Sequence, residues 1–351
     1  MEIQKLKDIC LTEITDGTHQ TPTYSEYGYI FLSSKNVTTQ KIDWDNVMFI
    51  PEKLHEELYK RVAPQIDDIL LAKNGTTGVA AIVDRDIVFD IYVSLALIRP
   101  NTEIVMPRYL LYAINNPVVK GYFDSSLKGI GVPNLHLKNI RETPIKIYDL
   151  ETQKAIVEKL DKVCELISLR KQQLEKLDEL VKARFVEMFG DPYVNNKHYP
   201  LRKGESFFKL SNGKGVPEDK RLSNGVPAYG GNGISWYTNE SLFNYDTIVV
   251  GRVGFQSGNV HIAKGPLWIT DNAMYMSSCD FSQYNLIFLI NLMEHIDFTR
   301  FQDAGDLKKI TQKPFMQYEY LCPPLSLQNQ FAAFVERVNQ QKQTVQQSLE
   351  K

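Results

Sequence analysis

Polar side chains gather in glycine-rich stretches along the chain, and their types could contact a nucleic acid. Lys, Arg, Asn and Gln bind base edges, and small hydroxyl side chains suit contacts to phosphate oxygens. Such stretches are also common as plain solvated turns, so that interpretation stays open. The candidate residues in the first half are Thr18, His19, Ser34, Lys35, Asn36, Lys73, Asn74, Thr76 and Thr77. Those in the second half are Tyr229, Asn232, Arg252, Gln256, Ser257 and Asn259.

Catalytic motifs are largely missing from the sequence. It contains no Walker A loop and no complete Gly-x-Gly-x-x-Gly after a strand. The glycine turns Lys128-Gly129-Ile130-Gly131 and Gly251-Arg252-Val253-Gly254 fit a phosphate cradle only weakly. Asp191-Pro192-Tyr193 and Asn115-Asn116-Pro117-Val118 partly match the Asp-Pro-Pro-Tyr motif of amino-methyltransferases. Both lack its second proline, so we interpret them as helix terminators and predict no catalytic residues.

Histidine and cysteine spacing does not predict a metal site either. The six histidines are His19, His55, His136, His198, His261 and His295, and they form no His-x-x-x-His pair. The four cysteines are Cys10, Cys164, Cys279 and Cys322, which lie far apart. So few cysteines in 351 residues indicate a reducing compartment, and we expect the cytoplasm. No apolar run is long enough to predict a membrane span.

The charge balance limits how the chain could bind a polyanion. Forty Lys and Arg residues stand against 42 Asp and Glu residues, for a formal net charge of −2. A protein that holds DNA alone and without sequence preference is usually more basic. We therefore expect any nucleic-acid contact to use local loops, or positive charge from a partner.

The sequence repeats itself after 175 residues. This shift places Tyr109 on Tyr284, Asn116 on Asn291 and Gln153 on Gln328. It also aligns Leu174-Glu175-Lys176 with Leu349-Glu350-Lys351. The order is a globular part, a long helix, a second globular part and a second long helix. Upstream the match continues with changed offsets, which indicates insertions in loops.

Apolar residues recur at alternating steps of four and three in two stretches, which predicts two long helices with a heptad seam. The seam residues in the first stretch are Ile156, Leu160, Val163, Ile167, Leu174, Leu177 and Val181. Those in the second are Phe331, Val335, Val338, Val345 and Leu349. An apolar strip is unfavourable in water, so we expect the two helices to cover each other. Two separate core helices are the alternative.

The globular parts should mix helices and strands. Residues 69–72 and 79–83 predict two strands around a Lys-Asn-Gly-Thr-Thr-Gly turn, and residues 247–250 and 259–263 are their counterparts. Residues 107–123 and 282–298 each predict one helix. The sheet topology does not follow from these patterns.

Several stretches resemble the specificity (S) subunit of type I restriction–modification systems. They include residues 131–140 (Gly-Val-Pro-Asn-Leu-His-Leu-Lys-Asn-Ile), Leu150-Glu151-Thr152-Gln153-Lys154 entering the first helix, and residues 185–192 at its end. Residues 68–75 with Gly78 are similar to a strand and turn of target-recognition domains. Pro323-Pro324-Leu325 with Gln328 repeats the junction between domain and helix. The resemblance covers essentially the whole chain.

The resemblance implies an α+β fold, with two pseudo-repeated mixed α/β target-recognition domains separated by two long antiparallel coiled-coil helices. The domains would be residues 1–150 and 191–324, and the spacer helices 151–190 and 325–351. The second helix stops at the position matching Lys176, before the first helix ends. Each domain would read one half of an asymmetric, interrupted site on double-stranded DNA.

The resemblance also implies partners. Similar subunits bind two modification (methyltransferase) subunits and, for cleavage, restriction (translocase/nuclease) subunits. S-adenosylmethionine, ATP and Mg would belong to those partners, and this chain would hold no cofactor or metal. The alternative function is a non-catalytic coiled-coil scaffold for protein interactions. A solitary nuclease or methyltransferase would instead predict turnover by the purified chain.

Overall fold

The computed structural model describes residues 1–127, 134–305 and 307–350. It divides into unit 1 (Met1–Leu166) and unit 2 (Ile167–Lys351). Both units contain helices and sheets, which confirms the predicted α+β class. The turn predicted at residues 128–131, the beginning of the stretch 131–140 and the last repeat position, Lys351, lie outside the described residues.

Unit 1 is built from short strands and helices followed by the first part of a long helix. Its strands are β1 (Glu2–Lys5), β2 (Thr15–Asp16), β3 (Tyr29–Leu32), β4 (Met48–Ile50), β5 (Ile69–Ala72), β6 (Ala80–Ile82), β7 (Phe89–Ile91), β8 (Leu95–Ile98) and β9 (Pro144–Ile147). Its helices are α1 (Glu52–Tyr59), α2 (Pro107–Ile114), α3 (Pro117–Ser126), α4 (Leu137–Arg141) and the start of α5 (Leu150–Phe189).

The strands of unit 1 form a four-stranded, a three-stranded and a two-stranded sheet. The four-stranded sheet has the order β2-β8-β5-β6 and is antiparallel throughout. The three-stranded sheet has the order β4-β3-β7, and its β3 and β7 are parallel. Strands β1 and β9 pair antiparallel on their own.

Strand β5 lies at the centre because both of its faces are apolar. Ile69 and Leu71 belong to the core beneath α2 and α3, whereas Leu70 and Ala72 belong to a second core with Phe89. All of its residues are buried. Successive side chains of a strand point to opposite faces, so a continuous apolar run indicates a strand covered on both sides.

The single helix predicted for residues 107–123 is wrong, because it is two helices. α2 ends at Ile114 and α3 begins at Pro117. Proline has no N–H and disfavours helical backbone in the residue before it. Asn116 is extended, and its side chain accepts a hydrogen bond from the Val118 N–H at 2.9 Å, which caps α3. In unit 2 the helix predicted for residues 282–298 spans Leu286–Ile296.

Unit 2 begins with the rest of α5 and repeats the order of the strands of unit 1, although no helix among its described residues corresponds to α1. Its strands are β10 (Leu201–Lys203), β11 (Phe208–Asn212), β12 (Val226–Gly230), β13 (Gly233–Thr238), β14 (Thr247–Gly251), β15 (Val260–Ala263), β16 (Trp268–Ile269), β17 (Ala273–Cys279) and β18 (Glu319–Leu321). Its further helices are α6 (Leu286–Ile296), α7 (Lys313–Gln317) and α8 (Leu325–Leu349).

The sheets of unit 2 have the same orders as those of unit 1. The four-stranded sheet is β11-β17-β14-β15 and the three-stranded sheet is β13-β12-β16, again with one parallel pair. The strands β10 and β18 match β1 and β9. Strand β14 also has two apolar faces, since Ile248 and Val250 join one core and Val249 joins another. The repeat in the sequence is therefore a repeat of topology.

The part of α5 in unit 2 runs antiparallel to α8. The Phe185 ring lies 5.6 Å from the Phe331 ring, near the end of α5 and the beginning of α8. Further along, Lys342 Nζ lies 2.5 Å from Asp178 Oδ1. Residue numbers fall on one helix as they rise on the other, so the helices point in opposite directions. Both long helices expected from the heptad pattern are present.

Burial varies along the predicted seam. Leu177 on α5 and Val335, Val338 and Val345 on α8 are buried. Phe331 is also buried, and Leu174, Val181 and Leu349 are half-buried. By contrast, the α5 residues nearer the beginning of the seam, Leu160, Val163 and Ile167, are 37%, 50% and 40% exposed. The expectation that no part of the strip stays exposed is therefore wrong for these three residues.

A buried glutamine fixes the beginning of each long helix to its globular part. Gln153 accepts a hydrogen bond from the Met106 N–H at 2.9 Å and donates to the carbonyls of Ile104 and Tyr148. Gln328 likewise accepts from the Asn285 N–H at 2.9 Å. It donates to the carbonyls of Gln283 and Pro323. Both side chains are fully buried, and each accepts one hydrogen bond and donates two. This satisfied buried amide explains why the glutamine recurs in the repeat.

Candidate nucleic-acid interface

In unit 1 the turn between β5 and β6 carries Lys73, Asn74, Thr76 and Thr77. Its shape depends on two glycines with positive φ, Gly75 at +76° and Gly78 at +79°. A Cβ atom on Gly78 would also lie 3.1 Å from the Phe123 ring. Glycine adopts this backbone without strain, so the turn can remain tight against α3.

Lys73 is buried and forms an ion pair with Asp16, which is also buried. His19 Nε2 lies 3.2 Å from the other oxygen of that carboxylate. Arg61 donates to the Asp16 carbonyl at 2.7 Å and to the Gly17 carbonyl. A buried charge is tolerated only when it is paired, and the Lys73 ammonium is paired with the Asp16 carboxylate inside the protein.

A cavity of about 560 Å³ adjoins this turn. Asp16, His19, Lys73 and Asn74 line one side, and Asn134 and His136 are among the residues that line the other. The Leu135 N–H donates to the Lys73 carbonyl at 2.9 Å, which joins the two sides. Asn74 Oδ1 is buried and accepts no hydrogen bond from the residues the structure describes. The cavity can therefore offer amide and imidazole groups to a ligand.

The neighbouring segment with Ser34, Lys35 and Asn36 is a single 3₁₀ turn. Asn36 is buried, accepts from the Ser33 N–H at 2.9 Å and donates to the Asn46 carbonyl at 3.0 Å. The Ser34 N–H donates to Ser94 Oγ at 3.0 Å. Asn36 thus organises the segment, while Lys35 points into solvent.

In unit 2 the corresponding turn follows β14. Arg252 takes the place of Lys73 but is exposed, with one nitrogen 3.4 Å from the Asp271 carbonyl. The Gly254 N–H donates to the Lys308 carbonyl at 2.8 Å, and Val253 forms a bridge with Lys309. The exposed guanidinium can donate hydrogen bonds to a carboxylate, a phosphate or a guanine edge.

A cavity of about 440 Å³ lies beside this turn. Tyr229, Asn232, Asn259 and His261 are among its lining residues. Burial lowers the pKa of His261, so its imidazole is neutral at neutral pH. Its Nε2 is buried and finds no partner in the described part of unit 2. Glu294 and Asp297 line it too, so the cavity combines an aromatic ring with uncharged polar groups and two carboxyl groups.

The fifteen candidate residues differ in access to solvent. His19, Lys35, Thr76, Asn232 and Arg252 are exposed. Ser34, Asn74, Thr77, Tyr229, Gln256 and Asn259 are half-buried. Thr18, Asn36, Lys73 and Ser257 are buried. Exposed and half-buried residues can reach a ligand directly, whereas the buried four shape the loops that carry them.

Polar composition alone missed several residues of these loops. Phe255 lies in the β14–β15 turn and is 91% exposed. Lys308 and Lys309 come next to that turn through the backbone contacts above. His136 and Arg61 surround the unit 1 ion pair and cavity. Two consecutive lysines are recognisable in the sequence as a basic site. Their distance along the chain from Arg252 gave no indication that they contact the β14–β15 turn.

Two other classes of site receive no support from the described residues. Across residues 1–127, 134–305 and 307–350, no group of three or more His, Cys, Asp or Glu side chains could hold a metal ion. In the same ranges, no helix is both long enough and apolar enough to cross a membrane.

Comparison with known proteins identifies the family. The model of the type I restriction modification DNA specificity domain matches residues 1–179, about half of the chain. The chain belongs to the type I restriction–modification specificity subunit family. Such subunits recognise DNA sequence and are non-catalytic.

Individual relatives agree with this assignment. A putative type I restriction enzyme MjaX specificity subunit from Methanocaldococcus jannaschii is 23% identical over 94% of this chain and 85% of its own length. The EcoBI specificity subunit from Escherichia coli is 25% identical over 36% of this chain and 27% of its own. The crystal structure of the S subunit from M. genitalium superposes with a TM-score of 0.63 at 14% identity. That alignment covers 99% of this chain and 92% of the other, and shows a shared fold.

Proposed function

We propose that unit 1 and unit 2 each read one half of an asymmetric, interrupted site on duplex DNA. The observation that carries this proposal is the repeated sheet order with different turns. On one scaffold the turn is Lys73-Asn74-Gly75-Thr76-Thr77-Gly78, and on the other it begins Arg252-Val253-Gly254-Phe255. Because the two units share their sheet topology, the corresponding turns can approach DNA in the same way. Their side chains differ, so the two turns should select different bases.

We also propose that the long helices set the gap between the half-sites and bind two modification subunits. The apolar side chains of α5 that remain exposed support the docking role, among them Leu160, Val163, Leu166 and Ile167. Exposed apolar strips of this kind mark protein–protein contacts. Restriction subunits would join through this assembly, and S-adenosylmethionine, ATP and Mg would be held by the partners in the cytoplasm.

The nearly neutral charge fits such an assembly. A net charge of −2 leaves this chain with little general attraction for phosphates. Partner subunits that close around the duplex would add phosphate contacts, while the loops of this chain would supply the base contacts. DNA-sequence recognition by the family also argues against a scaffold that binds only proteins.

The half-site assignment predicts separable losses. Arg252→Ala, Gln256→Ala and Asn259→Ala together should relax the bases of one half-site, because each lost base contact is worth about 1–3 kcal/mol. Lys35→Ala, Asn74→Ala and Thr76→Ala together should relax only the other half. Adenine-methylation mapping in cells that also express the cognate modification subunit shows which bases each variant still requires in each half-site. Lys264→Ala, an exposed lysine away from both turns, is the control. Changes in both halves from either set would contradict the assignment.

The spacer role predicts a changed gap in a lengthened protein. Asp178 faces Lys342, so the matched insertion points are Leu174, one turn before Asp178 on α5, and Val345, about one turn after Lys342 on α8. Seven residues after each preserve the heptad and add roughly 10 Å, or about three base pairs. The half-sites then also rotate by roughly 100° about the DNA axis, which will lower affinity.

Methylation mapping of the lengthened protein should show unchanged bases at both ends with a longer gap. A four-residue insertion at both points breaks the heptad register and should lose activity instead. Full activity with the original gap would show that the helices do not set the distance.

A further inference from the structure

Phe255 is the most exposed aromatic side chain of the β14–β15 turn, with 91% of its surface in contact with solvent. Burial of a phenylalanine side chain stabilises a folded protein by about 1.5–3 kcal/mol, and the exposed Phe255 does not provide this stabilisation. Scattered surface apolar residues are common. Phe255 differs because it lies at the tip of a turn inside the proposed recognition surface.

The backbone of this tip is held in place by specific hydrogen bonds. Gln302 Nε2 donates to the Phe255 carbonyl at 3.1 Å and to the Ser257 carbonyl at 2.5 Å. On the other side of the tip, the Gly254 N–H donates to the Lys308 carbonyl at 2.8 Å. These contacts fix the tip before a ligand arrives, which lowers the entropy cost of binding.

A glycine also forces the chain to leave the tip at a tight angle. Gly258 has φ of +96°, and a Cβ atom there would lie 2.8 Å from the Thr299 backbone nitrogen. Any other residue would push the turn away from the Gln302 segment. The turn is therefore built to present Phe255 outward.

The surroundings of Phe255 are basic. Arg252 and Lys309 are exposed and Lys308 is half-buried, and the two lysines adjoin the turn through its backbone contacts. Asp303 is a nearby carboxylate in the same segment, since its N–H donates to the Lys309 carbonyl. An aromatic ring among cations suits a polyanion with flat apolar faces, which describes DNA better than an apolar protein surface.

Unit 1 provides an internal comparison. Its turn has the same first glycine at positive φ, Gly75, and the next residue is Thr76 where unit 2 has Phe255. Thr76 is also exposed. The scaffold therefore does not require an aromatic residue at this place, and the exposed ring is particular to unit 2.

We propose that Phe255 inserts between neighbouring base pairs of the half-site read by unit 2 and partly unstacks them. This deepens the proposed function and rests on it. Lys308 and Lys309 hold the flanking phosphates while the ring enters the stack. Wedging side chains of this kind make binding depend on how easily a base step opens, and pyrimidine–purine steps open most easily. Unit 2 then selects DNA partly by its deformability, and unit 1 does not.

The test uses the full chain in complex with its cognate modification subunit, on a duplex whose sequence comes from methylation mapping. 2-Aminopurine replaces single adenines in and beside each half-site, but not the adenines that are methylated, because a methyltransferase takes its target base out of the stack and would raise the fluorescence by itself. Wild-type complex should raise its fluorescence at one step of the unit 2 half-site only. Phe255→Ala should abolish that rise and weaken binding by roughly 5- to 150-fold, the range for losing one base stack. Phe255→Trp should retain both the fluorescence rise and the affinity for DNA.

Two matched variants and one altered duplex complete the design. Phe281→Ala and Tyr245→Ala each remove another exposed aromatic side chain of unit 2. Both should leave the fluorescence rise unchanged. A mismatch placed at the wedged step removes the cost of unstacking, so it should tighten binding of the wild type more than that of Phe255→Ala.

The outcomes distinguish the insertion of Phe255 from the proposed reading of one half-site by each unit. Unchanged fluorescence and affinity in Phe255→Ala would overturn the wedge while the half-site assignment stands on the Arg252 variants. Loss of modification-subunit binding without DNA would overturn it too, because the ring would then contact protein. If neither Phe255→Ala nor the Arg252 set changed the unit 2 half-site, the proposed function itself would fail.

Discussion

Gln328→Leu is expected to lower the free energy of unfolding of unit 2 by about 3–5 kcal/mol, since it strips partners from the Asn285 N–H and the Gln283 and Pro323 carbonyls. Each buried backbone group left without a hydrogen bond costs about 1–3 kcal/mol. Leucine has nearly the same volume as glutamine, so the change in packing is small. Calorimetry that resolves separate transitions for the two units measures the loss.

Unit 1 supplies the matched variant. Gln153→Leu removes the equivalent three contacts and should lower the transition of unit 1 while leaving that of unit 2 in place. Gln330→Leu, on an exposed position of α8, is the control for an added leucine. A loss below about 0.5 kcal/mol from Gln328→Leu would mean that water or backbone movement satisfies the three groups.

Lys73→Met is expected to destabilise unit 1 by about 3–5 kcal/mol, because it leaves the Asp16 carboxylate buried without its cation. The β5–β6 turn should also shift, since the lost ion pair joins Lys73 at the beginning of the turn to Asp16 on β2. Methylation mapping should then show a relaxed unit 1 half-site and an intact unit 2 half-site. Chemical denaturation measures the loss of stability.

The double variant Lys73→Met with Asp16→Leu separates structure from base contact. Replacing both members of a buried ion pair with apolar residues is often neutral, so most of the stability should return. If the unit 1 half-site is restored with it, Lys73 acts by placing the turn. A stable double variant that still reads the wrong bases would show that the ammonium itself contacts DNA.

Local patterns were sufficient to predict the elements that depend on local chemistry. Ile69–Ala72 forms a strand because its residues are apolar on both faces, and the following glycines make the turn. The recurrence of Gln153 as Gln328 indicated a repeated junction, and the side-chain contacts supply its reason. The heptad spacing likewise predicted the helices α5 and α8.

Features that depend on distant parts of the chain could not be predicted in this way. The sheet orders join strands far apart in sequence, and no local pattern specifies such pairs. Residue type showed that Lys73 and Asn36 can contact DNA but not that both are buried with partners inside the protein. Phe255 was missed for the opposite reason, because a search for polar side chains passes over an aromatic residue.

The small two-stranded sheets have a consequence for how such proteins diversify. Glu2 pairs with Ile147 in unit 1, and Leu201 pairs with Leu321 in unit 2, so the strands that open and close each globular portion are neighbours. A segment bounded by such a pair can be exchanged for another of similar fold without rebuilding the helices. One recombination event with ends in β1 and β9 would replace the whole segment between these strands and, under the proposed function, the half-site that unit 1 reads.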